Sequence, residues 1–118
     1  MKSTLIAALA GLAAATAQAG CIYPRSPESL PDGNIATFEE MVEAQKAVRQ
    51  FNDDIAAYNA CLELEMKSFE KGGLYDEQRL NELRAMQAKK NNSAVDEVES
   101  VVGRFNEQLR VFKARDKK

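Results

Sequence analysis

The feature that most constrains the fold is the distribution of proline and glycine along the chain. All three prolines lie before residue 32, and none follows Pro31 up to the C-terminus. The adjacent Gly72 and Gly73 divide this proline-free stretch in two, and glycine at such a place is typical of a helix end. We therefore predict two long helices, over about 37–71 and 75–115, joined by one tight turn.

The first long segment carries apolar residues at the spacing of a coiled coil. Thr37 and Glu40 form a capping-box pattern at its start. Apolar side chains then recur in alternating steps of three and four residues, the spacing of helices that pack along a narrow seam. The members of this seam are Met41, Ala44, Val48, Phe51, Ile55, Tyr58 and Leu62.

The second long segment has a similar seam with a polar interruption. Gln87 and Asn91 occupy seam positions in its middle, and Asn91-Asn92-Ser93 with Asp96 also matches the pattern of a fresh helix start. Two interpretations therefore stay open, one continuous helix or a helix break near 91–93. The apolar members of this seam are Leu80, Leu83, Ala94, Val98, Val101, Phe105, Leu109 and Phe112.

Folding the two segments about a turn centred near residue 73 matches apolar positions in most layers. This pairing sets Val48 opposite Val98 and Phe38 opposite Leu109. Two helices joined by one tight turn can bury such stripes against each other only when they run in opposite directions. We therefore predict an all-α fold, an antiparallel two-helix coiled-coil hairpin over residues 37–118.

The Pro-rich stretch before the helices predicts an extended arm over residues 20–36. Cys61 lies about 36 Å along the first helix, and residues 21–36 span up to about 50 Å when extended. The arm can therefore run back along the hairpin and bring Cys21 to Cys61. We predict this disulfide; the alternatives are a lipid anchor on Cys21 and free or intermolecular thiols.

The N-terminus has the three parts of a secretory signal peptide. Lys2 is basic, residues 5–16 are uncharged and rich in Ala and Leu, and Ala17-Gln18-Ala19 resembles a cleavage site. We predict that residues 1–19 are a signal peptide, that the protein is periplasmic or secreted, and that no transmembrane segment remains after cleavage. The alternative interpretation is a buried or interfacial N-terminal helix.

Cys21 follows the predicted cleavage site closely enough to suggest a lipoprotein. A lipoprotein signal has an aliphatic residue three positions before the cysteine and then two small residues. Ala19 and Gly20 fit this pattern, and Gln18 does not.

The composition argues against several classes of function. The chain has no His, which removes the commonest proton shuttle and metal ligand. Its formal net charge is −2, whereas proteins that hold nucleic acid by charge carry a basic surplus. Acidic pairs such as Glu39-Glu40 are typical of a solvated helix face. We predict no catalytic, cofactor-binding or metal site, and no nucleic-acid partner.

A resemblance covers nearly the whole mature chain. It rests on Pro31-Asp32-Gly33, on Tyr58-x-x-Cys61-Leu62-Glu63, on Asn92-x-Ala94-Val95-Asp96-Glu97, and on Arg110-x-Phe112-Lys113-x-Arg115. With these motifs the chain resembles a group of small exported proteobacterial proteins without a known activity. In general shape it is also similar to periplasmic helical holdases and murein lipoproteins, although it lacks the Leu-Thr-x-x-Gln motif of Spy-like chaperones.

Two functional hypotheses follow. The first is a periplasmic protein with a structural or protein-interaction role, which presents a second apolar stripe to a partner or to another copy of itself. The second is an envelope lipoprotein, acylated at Cys21, that serves as a spacer or tether. The predicted interaction flank of the first hypothesis consists of Val42, Ala56, Leu64, Val95 and Val111.

Overall fold

The chain folds into two long helices that pack side by side. The computed structural model describes residues 20–115, and the predicted signal peptide, residues 1–19, lies outside these described residues. Helix α1 (Phe38–Gly72) and helix α2 (Glu77–Arg115) pack against each other as an antiparallel hairpin, and residues 20–115 contain no strand. The predicted all-α hairpin is confirmed.

The helix ends follow from local sequence. The Thr37 hydroxyl accepts from the backbone N–H of Glu40 at 3.1 Å, and the Glu40 carboxylate accepts from the N–H of Thr37 at 3.0 Å. This confirms the predicted capping box. Gly73 ends α1 in the left-handed region, at φ 66°, where a side chain would be strained. Asp76 caps α2 by accepting from the N–H of Arg79 at 2.8 Å.

The two predicted seams form the core. Ala44 and Val98 of the seams are partly buried, and Phe51 and Val101 are almost fully enclosed. Because the seam residues of one helix meet those of the other along most of their length, burial stabilises both helices together. The buried seam residues are Met41, Val48, Phe51, Ile55, Tyr58, Leu62 and Met66 in α1, and Leu80, Ala94, Val101, Phe105 and Phe112 in α2.

The alternative of a helix break near 91–93 is wrong, because α2 continues without interruption through these residues. Asn92 and Ser93 face solvent, where such residues cost the helix only about half a kcal/mol each. Ala94, next along the chain, is 0% exposed and packs in the seam. Packing on both sides of the polar run therefore outweighs its weak preference for a helix start.

The register of the hairpin differs from the expected one by about one helical turn. The midpoint between Gly72 and Glu77 lies between residues 74 and 75, not at 73, because three loop residues follow Gly73. Val48 consequently shares a cleft with Val102 and not with Val98. Phe38, expected opposite Leu109, is 71% exposed. The seams still match because their apolar positions recur about every turn.

Candidate interaction surface

The arm lies along one of the two grooves between α1 and α2, here called the arm groove. At its start the Sγ atoms of Cys21 and Cys61 are 2.06 Å apart, which is bonding distance. The predicted cysteine pair is therefore brought together, across 40 residues of sequence. The bond ties the start of the arm to the middle of α1, while the chain itself joins the end of the arm to the start of α1.

Tyr23 bridges the arm to both helices. Its ring packs edge-on against Tyr58 of α1, with ring centroids 5.1 Å apart, and its hydroxyl donates to the carboxylate of Glu97 in α2. Partial burial, followed by this hydrogen bond, raises the pKa of Tyr23 to about 12. The hydroxyl therefore stays protonated, and able to donate, throughout the neutral and mildly alkaline range.

The far end of the arm turns against the last part of α2. The backbone carbonyl of Asp32 accepts from the N–H of Ala36 at 2.8 Å, which closes the turn. The N–H of Gly33 donates to Oε1 of Gln108 at 2.8 Å. A Cβ on Gly33 would lie 2.1 Å from the backbone oxygen of Gln108 and 2.9 Å from the backbone nitrogen of Phe112. Only glycine fits at this approach without a shift of the backbone.

Arg115 closes the same end from α2. Its guanidinium donates to the carbonyl oxygen of Ala36 at 2.8 Å and to that of Gly33 at 3.3 Å. It also lies over the ring of Phe112, with Cζ 4.8 Å from the centroid. The arginine therefore satisfies two backbone acceptors of the arm that lie just before α1.

Between the start of the arm and the turn of the hairpin, part of the arm groove is not filled by residues 20–115. Two clefts that share Met86 and Lys90 lie there, and the pair is here called the open trough. The smaller cleft has a volume of only about 30 Å³. The larger cleft has a volume of about 330 Å³ and is bounded at one end by Tyr23 and Tyr58. The remaining wall residues are Leu62, Glu65, Met66, Phe69, Leu83, Gln87, Lys89 and Ser93.

The groove on the other side of the hairpin, here called the bare groove, has no arm over it. Val102 and Phe105 of α2 form its apolar wall, and Gln45 and Asn52 of α1 form a polar wall. The side-chain oxygen of Asn59 in α1 is buried without a hydrogen-bond partner. The bare groove therefore combines apolar contact area with the exposed amide side chains of Gln45 and Asn52.

The structure separates the five residues of the predicted interaction flank. Leu64 and Val95 are 67% and 40% exposed, Ala56 is also exposed, and Val42 is half-buried. Val111 lies on the arm side, in a cleft with Leu30 and Pro31 of the arm. By helical phase Val42, Ala56 and Val95 fall towards the bare groove, whereas Leu64 lies on the back of α1.

Sequence reasoning identified the disulfide and the apolar contacts of Tyr23 and Leu30 with the helices, but it expected the same of Ile22 and Ile35, which are exposed, and it missed the polar contacts of the arm. Gln108 and Arg115 look like ordinary surface residues of an amphipathic helix, and their partners are backbone groups about 80 residues away. The one available signal was Gly33, because a glycine in a Pro-Asp-Gly turn marks either a special backbone conformation or a close approach.

Fold and site together define a class of protein, a helical hairpin with an extended arm tied into one groove by a disulfide. Comparison with protein-family models, with curated proteins and with solved structures yields no match for this chain.

Within residues 20–115, neither helix combines the length and hydropathy needed to cross a bilayer. The same residues contain no group of three or more Asp, Glu or Cys side chains arranged to hold a metal ion.

Proposed function

We propose that this chain is an exported periplasmic protein with a structural or protein-interaction role. The observation that carries the proposal is that the arm covers only one of the two grooves between α1 and α2. The bare groove, with exposed Val95 and half-buried Val102 along it, has nothing over it in residues 20–115. A two-helix layer with one uncovered apolar side gains stability when a partner covers that side.

The disulfide supports a periplasmic location. Cys21 and Cys61 are paired, no free cysteine remains, and such bonds persist in oxidising compartments such as the bacterial periplasm. The signal-like pattern in residues 1–19 supports the same compartment on independent grounds. The resemblance to small exported proteobacterial proteins agrees with both.

The alternative is an envelope lipoprotein acylated at Cys21, in which the arm is the tether. A thioether to a diacylglycerol uses the same Sγ atom that lies at bonding distance from Cys61. The two modifications exclude each other, so the disulfide favours the non-acylated protein.

The compartment and the modification are tested together by intact mass under non-reducing conditions. Protein purified from the cell envelope is expected to begin at Gly20 and to weigh two hydrogens less than its reduced form. A diacylglycerol adduct on Cys21 would establish the lipoprotein, and a retained residue 1 with free thiols would contradict export.

The interaction role is tested by photo-crosslinking in the envelope. A photoreactive amino acid at Val95 is expected to give a discrete crosslinked species, either with another protein or with a second copy. The matched control is Lys46, an exposed position on α1 that is paired with Glu43. A protein that stays monomeric and gives equal, diffuse crosslinking at both positions would overturn the interaction role.

A further inference from the structure

Helix α2 carries a second apolar stripe beside the seam that faces α1. Val102 lines the bare groove, and residues seven positions apart lie on nearly the same side of a helix, rotated by only about 20°. Ala88, Val95 and Leu109 therefore lie on the side of Val102, and these four residues are here called the outer stripe. Val95 is 40% exposed, Ala88 is exposed, and Val102 and Leu109 are half-buried.

The outer stripe is more than a two-helix hairpin needs. A narrow seam is enough to bury one helix against one neighbour, whereas a helix in a larger bundle has a wider apolar face. The seam of α2 is already filled, since Val101 and Phe105 are buried in the core. Ala88 and Val95 stay exposed because α1 and the arm pack on other sides of α2.

The two walls of the bare groove decide which element can cover the outer stripe. The wall formed by α2 is apolar, whereas the wall formed by α1 carries the amides Gln45 and Asn52 and, seven residues further, Asn59. A covering helix gains most when its own apolar side lies over α2. Between the two helices of this chain, α2 has such a side and α1 does not.

The outer stripe is complementary to itself when two copies of α2 run antiparallel. A two-fold axis through the middle of the stripe sets Ala88 at the level of Leu109 of the second copy. The same axis sets Val95 at the level of Val102 of the second copy. The smallest side chain thus meets the largest, and valine meets valine. An interface between two identical copies requires self-complementarity of this kind.

The charges near this axis also complement each other. Glu99 lies at the middle of the outer stripe, and Arg49 of α1 lines the bare groove together with Val102. Both side chains are exposed, and neither forms an ion pair within residues 20–115. Two copies would bring two guanidinium groups and two carboxylates to the axis, and these charges balance.

The available area suffices for a specific dimer. From Ala88 to Leu109 the outer stripe is about 32 Å long. Two helices whose axes are about 9 Å apart form a layer about 20 Å wide. A second copy over this stretch would cover roughly 650 Å² on each chain, or about 1,300 Å² in total, which lies within the range of specific protein interfaces.

We propose that two copies of this chain associate through their bare grooves into a four-helix bundle, with α2 antiparallel to α2 of the second copy. The inference rests on the proposed function, because it names the partner of the same groove. The arm groove stays outside the interface, so each copy keeps its arm and its disulfide in place.

Sedimentation equilibrium of the oxidised protein that begins at Gly20 tests the association. We expect a monomer–dimer equilibrium with a Kd in the micromolar range or below, because interfaces of this size reach such affinities. A protein that remains monomeric at about 100 µM would overturn the proposal.

Val95→Glu locates the interface. The variant places a carboxylate at the level of Val102 of the second copy and is expected to raise the Kd of the dimer at least tenfold. Met86→Glu is the matched control, since Met86 is 48% exposed on the arm side of the same helix, and it is expected to leave the Kd unchanged. Equal effects of the two variants would contradict the placement on the bare side. If Val95→Glu lowers the helical circular dichroism, Val95→Ser replaces it with the same direction of change.

Charge exchange tests the position of the two-fold axis. Arg49→Glu and Glu99→Arg each leave four like charges at the axis, so each is expected to weaken the dimer about tenfold at low salt and less at high salt. The double variant restores two charges of each sign and is expected to regain the original Kd. A double variant as weak as the single ones would place the axis elsewhere and overturn the proposed pairing.

Photo-crosslinking tests the orientation of the two copies. A photoreactive amino acid at Val95 of isotope-labelled protein, mixed with unlabelled protein, is expected to join the unlabelled peptide that contains Val102. A crosslink to α1 of the unlabelled copy would overturn the antiparallel pairing of α2. A monomeric protein whose position 95 crosslinks to a different envelope protein would overturn this inference and leave the proposed interaction role standing.

Discussion

Gly33 has no side chain at the point where the arm meets α2. Its N–H donates to Gln108, and the backbone of α2 occupies the space that a Cβ would take. Two backbones therefore touch directly, which is possible only with glycine at this position.

Gly33→Ala is expected to lower the free energy of unfolding by roughly 1–3 kcal/mol, because the added methyl group forces the turn of the arm away from α2. Chemical denaturation measures this change. Gly103→Ala is the matched control, since nothing lies within 4 Å of a Cβ there. That variant is expected to raise stability by about 0.5–1 kcal/mol, as alanine favours a helix interior. Similar effects of the two variants would contradict the close approach.

The hydroxyl of Tyr23 makes the attachment of the arm sensitive to alkaline pH. The pKa rises from 10.0 to about 12 in the folded protein, so the unfolded chain releases this proton first as the pH increases. Stability is then lost between pH 10 and about 12, because the unfolded state binds fewer protons over that interval.

Tyr23→Phe is expected to remove this part of the pH dependence, together with the hydrogen bond to Glu97. Denaturant unfolding of both proteins at a series of pH values measures the effect. The stability difference between them is expected to be constant below pH 10 and to shrink above it. A difference that is constant across the whole range would show that the hydroxyl does not hold the arm.

At the scale of the helix, α1 separates its aromatic residues by face. Phe51 is 2% exposed in the seam, whereas Phe38 faces solvent. Both residues belong to one uninterrupted helix. Their difference in exposure therefore comes from whether α2 packs on the ring and not from helix propensity. The face of α1 on which each ring lies decides which one is buried.

Phe51→Ala is expected to destabilise the protein by about 3–5 kcal/mol, because the truncation leaves a cavity between the helices. Phe38→Ala makes the same chemical change at an exposed position of the same helix, and we expect less than about 0.5 kcal/mol. Thermal unfolding followed by circular dichroism compares the two. A large loss with Phe38→Ala would favour the sequence-based register, in which Phe38 packs on Leu109.

Across the whole molecule, the disulfide closes a loop of 40 residues around the base of the hairpin. Two helices in one layer have little core of their own, and small folds of this kind depend on such crosslinks. In the chain-entropy view, a loop of this length contributes about 4 kcal/mol by restricting the unfolded chain.

The double variant Cys21→Ser, Cys61→Ser is expected to lower Tm by roughly 15–30 °C, in proportion to that loss for a domain of about 100 residues. A dithiol reductant is expected to do the same to the natural protein and nothing to the variant. Hydrogen exchange should show the first part of the arm released while α1 and α2 stay protected. An unchanged Tm after reduction would mean that the arm is held without the bond.

Sequence alone determined the features that depend on neighbouring residues. The capping box at Thr37, the end of α1 at the paired glycines and the two seams follow from local spacing, because capping and helical phase act within a few residues. The Cys21–Cys61 pair was also accessible, since two cysteines allow one intramolecular pairing and the length of the arm permits it.

Tertiary structure alone decided the register, the groove that the arm occupies and the open trough. Apolar seam positions recur every three or four residues, so their pattern does not distinguish the layer at Val98 from the layer one turn further along α2, where Val102 shares a cleft with Val48. The contacts of Gly33 with Gln108, and of Arg115 with the arm, join residues far apart in sequence through backbone atoms that are the same in every amino acid. Such contacts leave no pattern in the chain and appear only when the helices and the arm are packed together.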